Sequence, residues 1–400
     1  MIYSVFFKVV LRWIPPEVTH SLAIISLRLV GLLPLGRRTL RKLTRVDDQR
    51  LRVTALGLTF PNPVGVAAGM DKHVKWFEEL GALGFGFVEV GTVTAHPQKG
   101  SSKPRVWRLT RDRALVNAMG FPNDGAETSA ERLRKKRTGE TIVGTNIGKS
   151  LSTPVDAALD DYRTTARAMA PVSDFLVLNV SSPNTPDLQT LQAVEPLRAL
   201  VEGVRDELAL IEVQLPILVK ISADLPDADI DQVAELCLSL ELDGIVAVNT
   251  TVDRAVLQSA AARAAQNPGG ISGAPLKGRA VDILRRLRTH VGDRLVLISV
   301  GGIETADDAW DRFEAGATLV QGHTGFVYGG PLWARRLNKE LARRLREAGV
   351  SSVYELVGLY EGGGRGSGMA NGAAGSSPQE SALARNGETR PLGVGVPGAR

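Results

Sequence analysis

Cysteine is nearly missing from this chain: Cys237 stands alone among 400 residues, so no internal disulfide can form. Its neighbours Val233-Ala234-Glu235-Leu236 and Leu238 read as the apolar face of a helix, and reducing, cytosolic surroundings follow. Aromatic residues are scarce at 5%, and none alternate with basic clusters, so nucleic acid is not an expected partner. No apolar run reaches the about 20 residues that a spanning helix needs. No GxGxxG follows the first apolar run, which argues against a nicotinamide-binding sheet. Acidic residues are nearly missing from one end. Residues 1–46 hold Lys8, Arg12, Arg28, Arg37, Arg38, Arg41, Lys42 and Arg45 against the single acid Glu17, although the whole chain carries only +5.

That basic end also contains two apolar segments. In the first, Ser4, Lys8 and Arg12 share one helical face and Ile2, Val5, Phe6, Val9, Val10 and Trp13 the other. Pro15 and Pro16 break the pattern. A second helix follows, with Val18, Leu22, Ile25, Leu29 and Leu32 at three-and-four spacing, and stops at Leu33-Pro34. Both are short, His20 and Arg28 interrupt the second, and no small-residue cleavage site follows the first. Residues 1–46 are therefore expected to form an amphipathic two-helix hairpin that dips into one leaflet and meets anionic lipid headgroups on the cytoplasmic face of the cell membrane. The alternative is a helical pair packed on the main domain. At the other end, residues 351–400 form a terminal segment whose Gly, Ala, Ser and Pro content predicts disorder from about 361. Between them, residues 47–350 are long enough for a barrel domain.

Within that body, eight short apolar runs are each followed by Gly, Asn, Thr or Lys and mostly then by a helical pattern. They are 63–67, 86–90, 141–145, 175–180, 217–221, 244–248, 295–300 and 318–322. Eightfold strand–helix alternation predicts an α/β fold, a closed (β/α)8 TIM barrel whose strand ends share one mouth; a doubly wound sheet is the alternative. Insertions at about 94–139 and 250–279 are expected to fold over that mouth.

The strand ends bring together Ala68-Gly69-Met70-Asp71-Lys72, Thr92, Asn117-Ala118-Met119-Gly120-Phe121, Asn146, Asn179-Val180-Ser181-Ser182-Pro183-Asn184-Thr185, and Val248-Asn249-Thr250. Amides carry donors and an acceptor, so several around one space complement a planar ring whose rim alternates N–H and C=O; capping of turns is the competing role. Lys220 interrupts a strand expected to be buried, so an anion must sit beside it, either a reduced flavin ring or an internal carboxylate. Glycine-rich turns at 301–302 and 322–325, with Gly269–Gly273 and Thr324, suit a phosphomonoester such as that of FMN.

AGMDK (68–72), EVGTVT (89–94), NAMGF (117–121), NIGK (146–149), NVSSPNTP (179–186), VKIS (219–222), NTT (249–251), GGISG (269–273) and SVGGI (299–303) together resemble the dihydroorotate dehydrogenase family. The N-terminal helical pair resembles its quinone-dependent, membrane-associated class. The resemblance implies one FMN, oxidation of dihydroorotate to orotate in pyrimidine synthesis, and a membrane quinone as electron acceptor. It implies that Ser182 takes a proton from carbon 5 while carbon 6 passes a hydride to the flavin, with Thr185 and Phe121 beside the proton path. It assigns the substrate to Lys72, Asn117, Ala118, Met119, Gly120, Phe121, Asn179, Asn184, Asn249 and Thr250. It assigns the cofactor to Ala68, Gly69, Met70, Asp71, Lys72, Thr92, Asn146, Asn179, Lys220, Val248, Gly273, Gly302, His323 and Thr324, and the quinone to His20 and Arg108. Ala118, Asp187, Gln189 and His323 stand where the family usually has arginine, glycine, arginine and tyrosine. Other readings are an inactive membrane-bound flavin-binding scaffold and a flavin barrel acting on another pyrimidine. No metal is expected, and the oligomeric state stays open, with a monomer sufficient.

Overall fold

Eight parallel strands close into a barrel, each hydrogen-bonded to its neighbours in sequence order: β1 (Val64–Val66), β2 (Phe87–Val93), β3 (Ile142–Ile147), β4 (Phe175–Asn179), β5 (Ile217–Ile221), β6 (Gly244–Ala247), β7 (Val296–Val300) and β8 (Leu319–Gly322). The computed structural model describes residues 2–33, 35–265 and 267–357. The expected disorder from about 361 lies outside them, as do the side chains of Ile2, Ser4, Lys8 and Leu32. All eight apolar runs became strands, with bounds shifted by at most three residues.

Side chains alternate along each strand, and the inward set changes character with height. Low in the barrel, Phe87 and Phe175 meet at 6.2 Å between ring centroids, with Phe60 of an antiparallel ribbon (Val53–Ala55 with Leu58–Phe60) stacked edge-on against Phe87. Gly65 and Gly144 make this possible, since a Cβ on either would lie 2.3 or 2.1 Å from a phenyl ring. Two residues further along the strands the inward positions turn polar, with Glu89, Asn146, Lys220 and Gln321 all buried. The aromatic plug thus gives the polar layer above it a dry, rigid base.

The two insertions fold as one unit rather than as separate flaps. Gly270–Gly273 pairs antiparallel with Ala114–Asn117, which pairs with Val106–Leu109. Isolated bridging from Thr251 to Ile271 ties this small sheet to the segment after β6. Residues 126–136 of the expected first insertion are instead the barrel helix between β2 and β3.

The N-terminal extension holds three helices, not two: α1 (Ile2–Val9), α2 (Pro16–Leu32) and α3 (Gly36–Thr44). Its arginines made 36–44 resemble a charged flank, yet Leu40 packs on the core and Thr44 donates 2.6 Å to the Ala82 carbonyl. Arg41 donates to the Glu140 carbonyl at 2.7 Å and lies 3.6 Å from Glu78, so part of the basic end is neutralised internally. Arg12, Arg28, Arg37, Arg38 and Lys42 have no acidic partner among the described residues. Phe7 and Ile24 are buried, whereas Val18, Leu22, Ile25 and Leu29 form an outward stripe, 48–60% exposed. The apolar face legible in the sequence therefore points away from the protein. No single helix among the described residues is long and apolar enough to cross a membrane.

Candidate active site

Three of the expected asparagines, Asn146, Asn179 and Asn249, join with Thr92 and Ser181 into one amide ring at the mouth, and Asn117 and Asn184 form a separate pair. Thr92 Oγ1 donates to Asn146 Oδ1 at 2.5 Å, and Asn179 Nδ2 donates to both Asn146 Oδ1 (3.0 Å) and Thr92 Oγ1 (3.1 Å). Asn249 Nδ2 donates to Ser181 Oγ at 3.0 Å, and Ser181 Oγ donates to Asn179 Oδ1 at 3.1 Å. On the loop after β4, Asn184 Nδ2 donates to Asn117 Oδ1 at 3.2 Å, joining that loop to the insertion sheet. Tyr162 Oη donates 2.7 Å to the Asn179 carbonyl, so the backbone that carries the ring is itself held.

Ser182 is buried, and its Oγ accepts the Asn184 N–H at 3.3 Å. Among the described residues no imidazole or carboxylate hydrogen-bonds to it. Thr185 is buried beside it on the same loop. Phe121, at φ 49°, brings its ring edge to Gly148, where a Cβ would lie 3.3 Å from Cε2 and 2.8 Å from Thr92 Cγ2. Pro183 and Thr250 both press on Gly270 of the insertion strand. Downstream, Asp187 adopts φ 56°, the left-handed conformation that aspartate tolerates better than most residues. Gln189 donates 3.2 Å to the Ser181 carbonyl and to Ser222 Oγ, tying the loop to β5.

In the turn after β1, Met70 packs in the core and Asp71 accepts the N–H groups of Lys75 (2.9 Å) and Trp76 (2.6 Å), leaving Ala68 and Gly69 as its accessible part. Lys72 folds back to donate 2.5 Å to the Gly69 carbonyl. Burial, reinforced by nearby Arg105, pushes its ammonium down to about 8. Burial with the positive charge of Lys72 and Lys220 holds His323 down at about 4. His20 on α2 drops to about 3 by burial, with Lys72, His323 and His73 adding to the effect, so it is neutral near pH 7. Arg108 Nη1 donates to the carbonyls of Leu11 (2.9 Å) and Ile14 (2.6 Å), pinning the turn between α1 and α2, while its Nε is buried without a partner. Arg105 pairs with Glu17 at 3.0 Å on the same side. A cleft of about 340 Å³ runs along this seam between Trp13, Pro15, Trp107 and Arg108.

Four participants had no role assigned from the sequence, although Ser181 stood in the strand-end group and Glu89 in the motif at 89–94: Glu89, Ser181, Gln321 and Arg312. Lys220 has its internal carboxylate, Glu89, at 3.6 Å. Glu89 broke an apolar strand as visibly as Lys220 did, but only the closed barrel brings the two together. Arg312, fully buried, donates to the carbonyls of Gly301 (2.7 Å) and Lys277 (3.0 Å) and fixes the turn after β7.

The mouth keeps polar groups free for a ligand. Thr250 Oγ1 and Gln321 Oε1 are buried without partners among the described residues, and the Lys220–Glu89 contact is longer than a hydrogen bond. The N–H groups of Gly301 and Gly302 meet no acceptor among the described residues. Gly302 is irreplaceable in shape, because at φ 78° its Cβ would sit 2.7 Å from Lys277 Cα. Gly273 and Thr324 adjoin across the insertion strand, and Ser272 Oγ lies 2.7 Å from Thr324 Oγ1.

Comparison with known proteins agrees with this geometry. The family model described as dihydroorotate dehydrogenase matches residues 50–345. The chain is 52% identical over 345 residues to the dihydroorotate dehydrogenase (quinone) of Mycobacterium tuberculosis, covering 86% of this chain and 95% of that one. It is 52% identical over 357 residues to the Rhodococcus opacus protein of the same name, covering 89% and 98%. The crystal structure of the Eimeria tenella DHODH in complex with ferulenol superposes with a TM-score of 0.78 at 34% identity, covering 86% of this chain and 96% of that one. Barrel, amide ring, buried serine and sequence kinship lead to one conclusion: the chain belongs to the dihydroorotate dehydrogenase family.

Proposed function

We propose that this chain oxidises dihydroorotate to orotate with one bound FMN and passes the electrons to a membrane quinone; the relatives it matches carry the name dihydroorotate dehydrogenase (quinone). The observation that carries the reading is the gathering of Ser182, Lys72 and the amide ring at one mouth, in a member of this family. Bound flavin supplies the two-electron oxidant. Lys220, Asn146, Thr92, Gln321 and the turns at Gly273, Gly302 and Thr324 are the groups we assign to holding it.

Ser182 receives the proton from carbon 5 of the substrate. Its Oγ is positioned by the Asn184 N–H, and burial keeps competing water away. Asn117, Asn179, Asn184 and Asn249 orient the pyrimidine ring, and Lys72 answers its carboxylate. Thr185 and Phe121 flank the route by which the proton leaves. His20 and Arg108 take the quinone end, where a neutral imidazole offers one donor and the unpartnered Arg108 Nε another. The outward stripe on α2 and the unpaired cations of the extension support peripheral attachment to anionic bilayers. The lone buried thiol suits the cytoplasmic face.

The direct test is anaerobic. Purified protein should be yellow, release FMN on denaturation, and bleach when dihydroorotate is added. Flavin-loaded protein that does not bleach overturns the reading.

Lys72 adds a pH dependence. Because its ammonium sits at about 8, it is charged below that pH and neutral above it. Orotate, anionic throughout this range, should bind with constant affinity up to about pH 7 and weaken roughly tenfold per unit well above 8. Titrations of flavin absorbance with orotate from pH 6.5 to 9.5 check this, and Lys72→Met should flatten the profile.

A further inference from the structure

Glu89 is wholly buried in β2 beneath the amide ring. Three groups converge on it: Asn146 Nδ2 at 2.7 Å, Gln321 Nε2 at 2.5 Å and Lys220 Nζ at 3.6 Å. An ionised carboxylate only accepts hydrogen bonds. Asn146 must therefore turn its NH2 toward Glu89 and its carbonyl toward Thr92 and Asn179. Asn179 must in turn donate to Asn146, which leaves its own carbonyl to accept from Ser181 Oγ and the Ser181 N–H. Ser181 Oγ, having donated, accepts from Asn249 Nδ2. Gln321 is turned the same way, and its unpartnered Oε1 faces away from the carboxylate.

We propose that Glu89 is the positioning residue of the site: it fixes the donor and acceptor directions around the whole amide ring and supplies the counter-charge that tempers Lys220 beside the flavin. The inference rests on the functional reading above. Replacing the carboxylate by an amide places an NH2 against either Asn146 or Gln321. If Asn146 turns over to accept it, two NH2 groups then face each other at Asn179, and the reversal runs on to Asn249. The charge consequence is separate. Flavin reduction builds negative charge near Lys220, and Glu89 opposes it, so removing the carboxylate's charge makes reduction easier.

Two variants test this: Glu89→Gln, and the double variant Glu89→Gln with Asn146→Asp, which moves the carboxylate one link along the chain and restores the donor–acceptor pairs with Asn146 and Gln321, while Lys220, which faces the same oxygen as Asn146, keeps a carboxylate only one link away. Flavin affinity, orotate affinity and the potential of the bound flavin are measured on each. Glu89→Gln should bind flavin and orotate at least about tenfold more weakly, the scale of one lost charge-assisted hydrogen bond, and its potential should move positive. The double variant should recover orotate affinity to within about threefold of the parent and return the potential toward the parent value. A Glu89→Gln protein with unchanged affinities, or with a potential unmoved or more negative, overturns the proposal. So does a double variant no better than the single one in folding, orotate binding or potential. A parent protein that binds neither flavin nor orotate would instead remove the functional reading, so the two failures are told apart.

Discussion

Ser182→Ala is expected to keep its flavin and lose its chemistry: reduction by dihydroorotate should slow by on the order of 10² to 10⁴, the range attributed to a positioned general base. The hydroxyl stands apart from the ring that holds the flavin. Its Oγ accepts the Asn184 N–H, while Thr92, Asn146 and Asn179 bond among themselves without it. Removing one oxygen from a buried site costs little packing, so the variant should fold and stay yellow. No neighbouring base takes over, because among the described residues no imidazole or carboxylate hydrogen-bonds to Ser182, and Cys237 is buried in the helix Asp227–Ser239, its thiol pushed up to about 12 by burial. Stopped-flow bleaching of the oxidised flavin under anaerobic conditions gives the rate. An unchanged rate constant would remove Ser182 from the mechanism.

The barrel was legible because its signal is local. Each strand is a short apolar run punctuated by a polar residue, and Ile217–Ile221 was found to the residue. The asparagines were legible for the same reason, being what ends those runs. What stayed hidden depends on partners distant in sequence. Lys220 announced a need for an anion, but that Glu89 answers it follows only from the closed barrel, which stacks β2 and β5 residues in one layer. The small antiparallel sheet joins Ala114–Asn117 to Gly270–Gly273, and no turn signal links segments so far apart. Helix α3 was missed because Arg37, Arg38, Arg41 and Lys42 outweighed Leu40 in a composition-based reading; its amphipathic period was present but short. The extension shows the reverse case. Its apolar stripe was legible, whereas the direction that stripe faces was decided by packing of Ile24, Leu27 and Phe7.

That outward stripe yields the second large effect. Leu22, Ile25 and Leu29 are 50%, 52% and 60% exposed on one side of α2, while Ile24 and Leu27 hold the helix to the body from the other. Changing the exposed three to glutamate should therefore leave the fold intact and strip away the membrane-binding surface. Each loses about 1.5 to 3 kcal/mol of burial when the helix enters the bilayer interface, and each adds a charge that anionic headgroups repel. Even at the lower figure the sum corresponds to roughly 10³-fold weaker partitioning. The triple variant should stay in the supernatant when sedimented with anionic vesicles that pull down the parent. Reduction of a long-chain quinone dissolved in those vesicles should fall with it, while reduction of a water-soluble dye by dihydroorotate stays at the parent rate, because Ser182, Lys72 and the amide ring lie on the barrel and not on α2. Vesicle binding that survives all three glutamates would refute the membrane assignment. An equal fall in dye and quinone activity would show that α2 supports the barrel site itself, and the division of labour between mouth and extension would have to be redrawn.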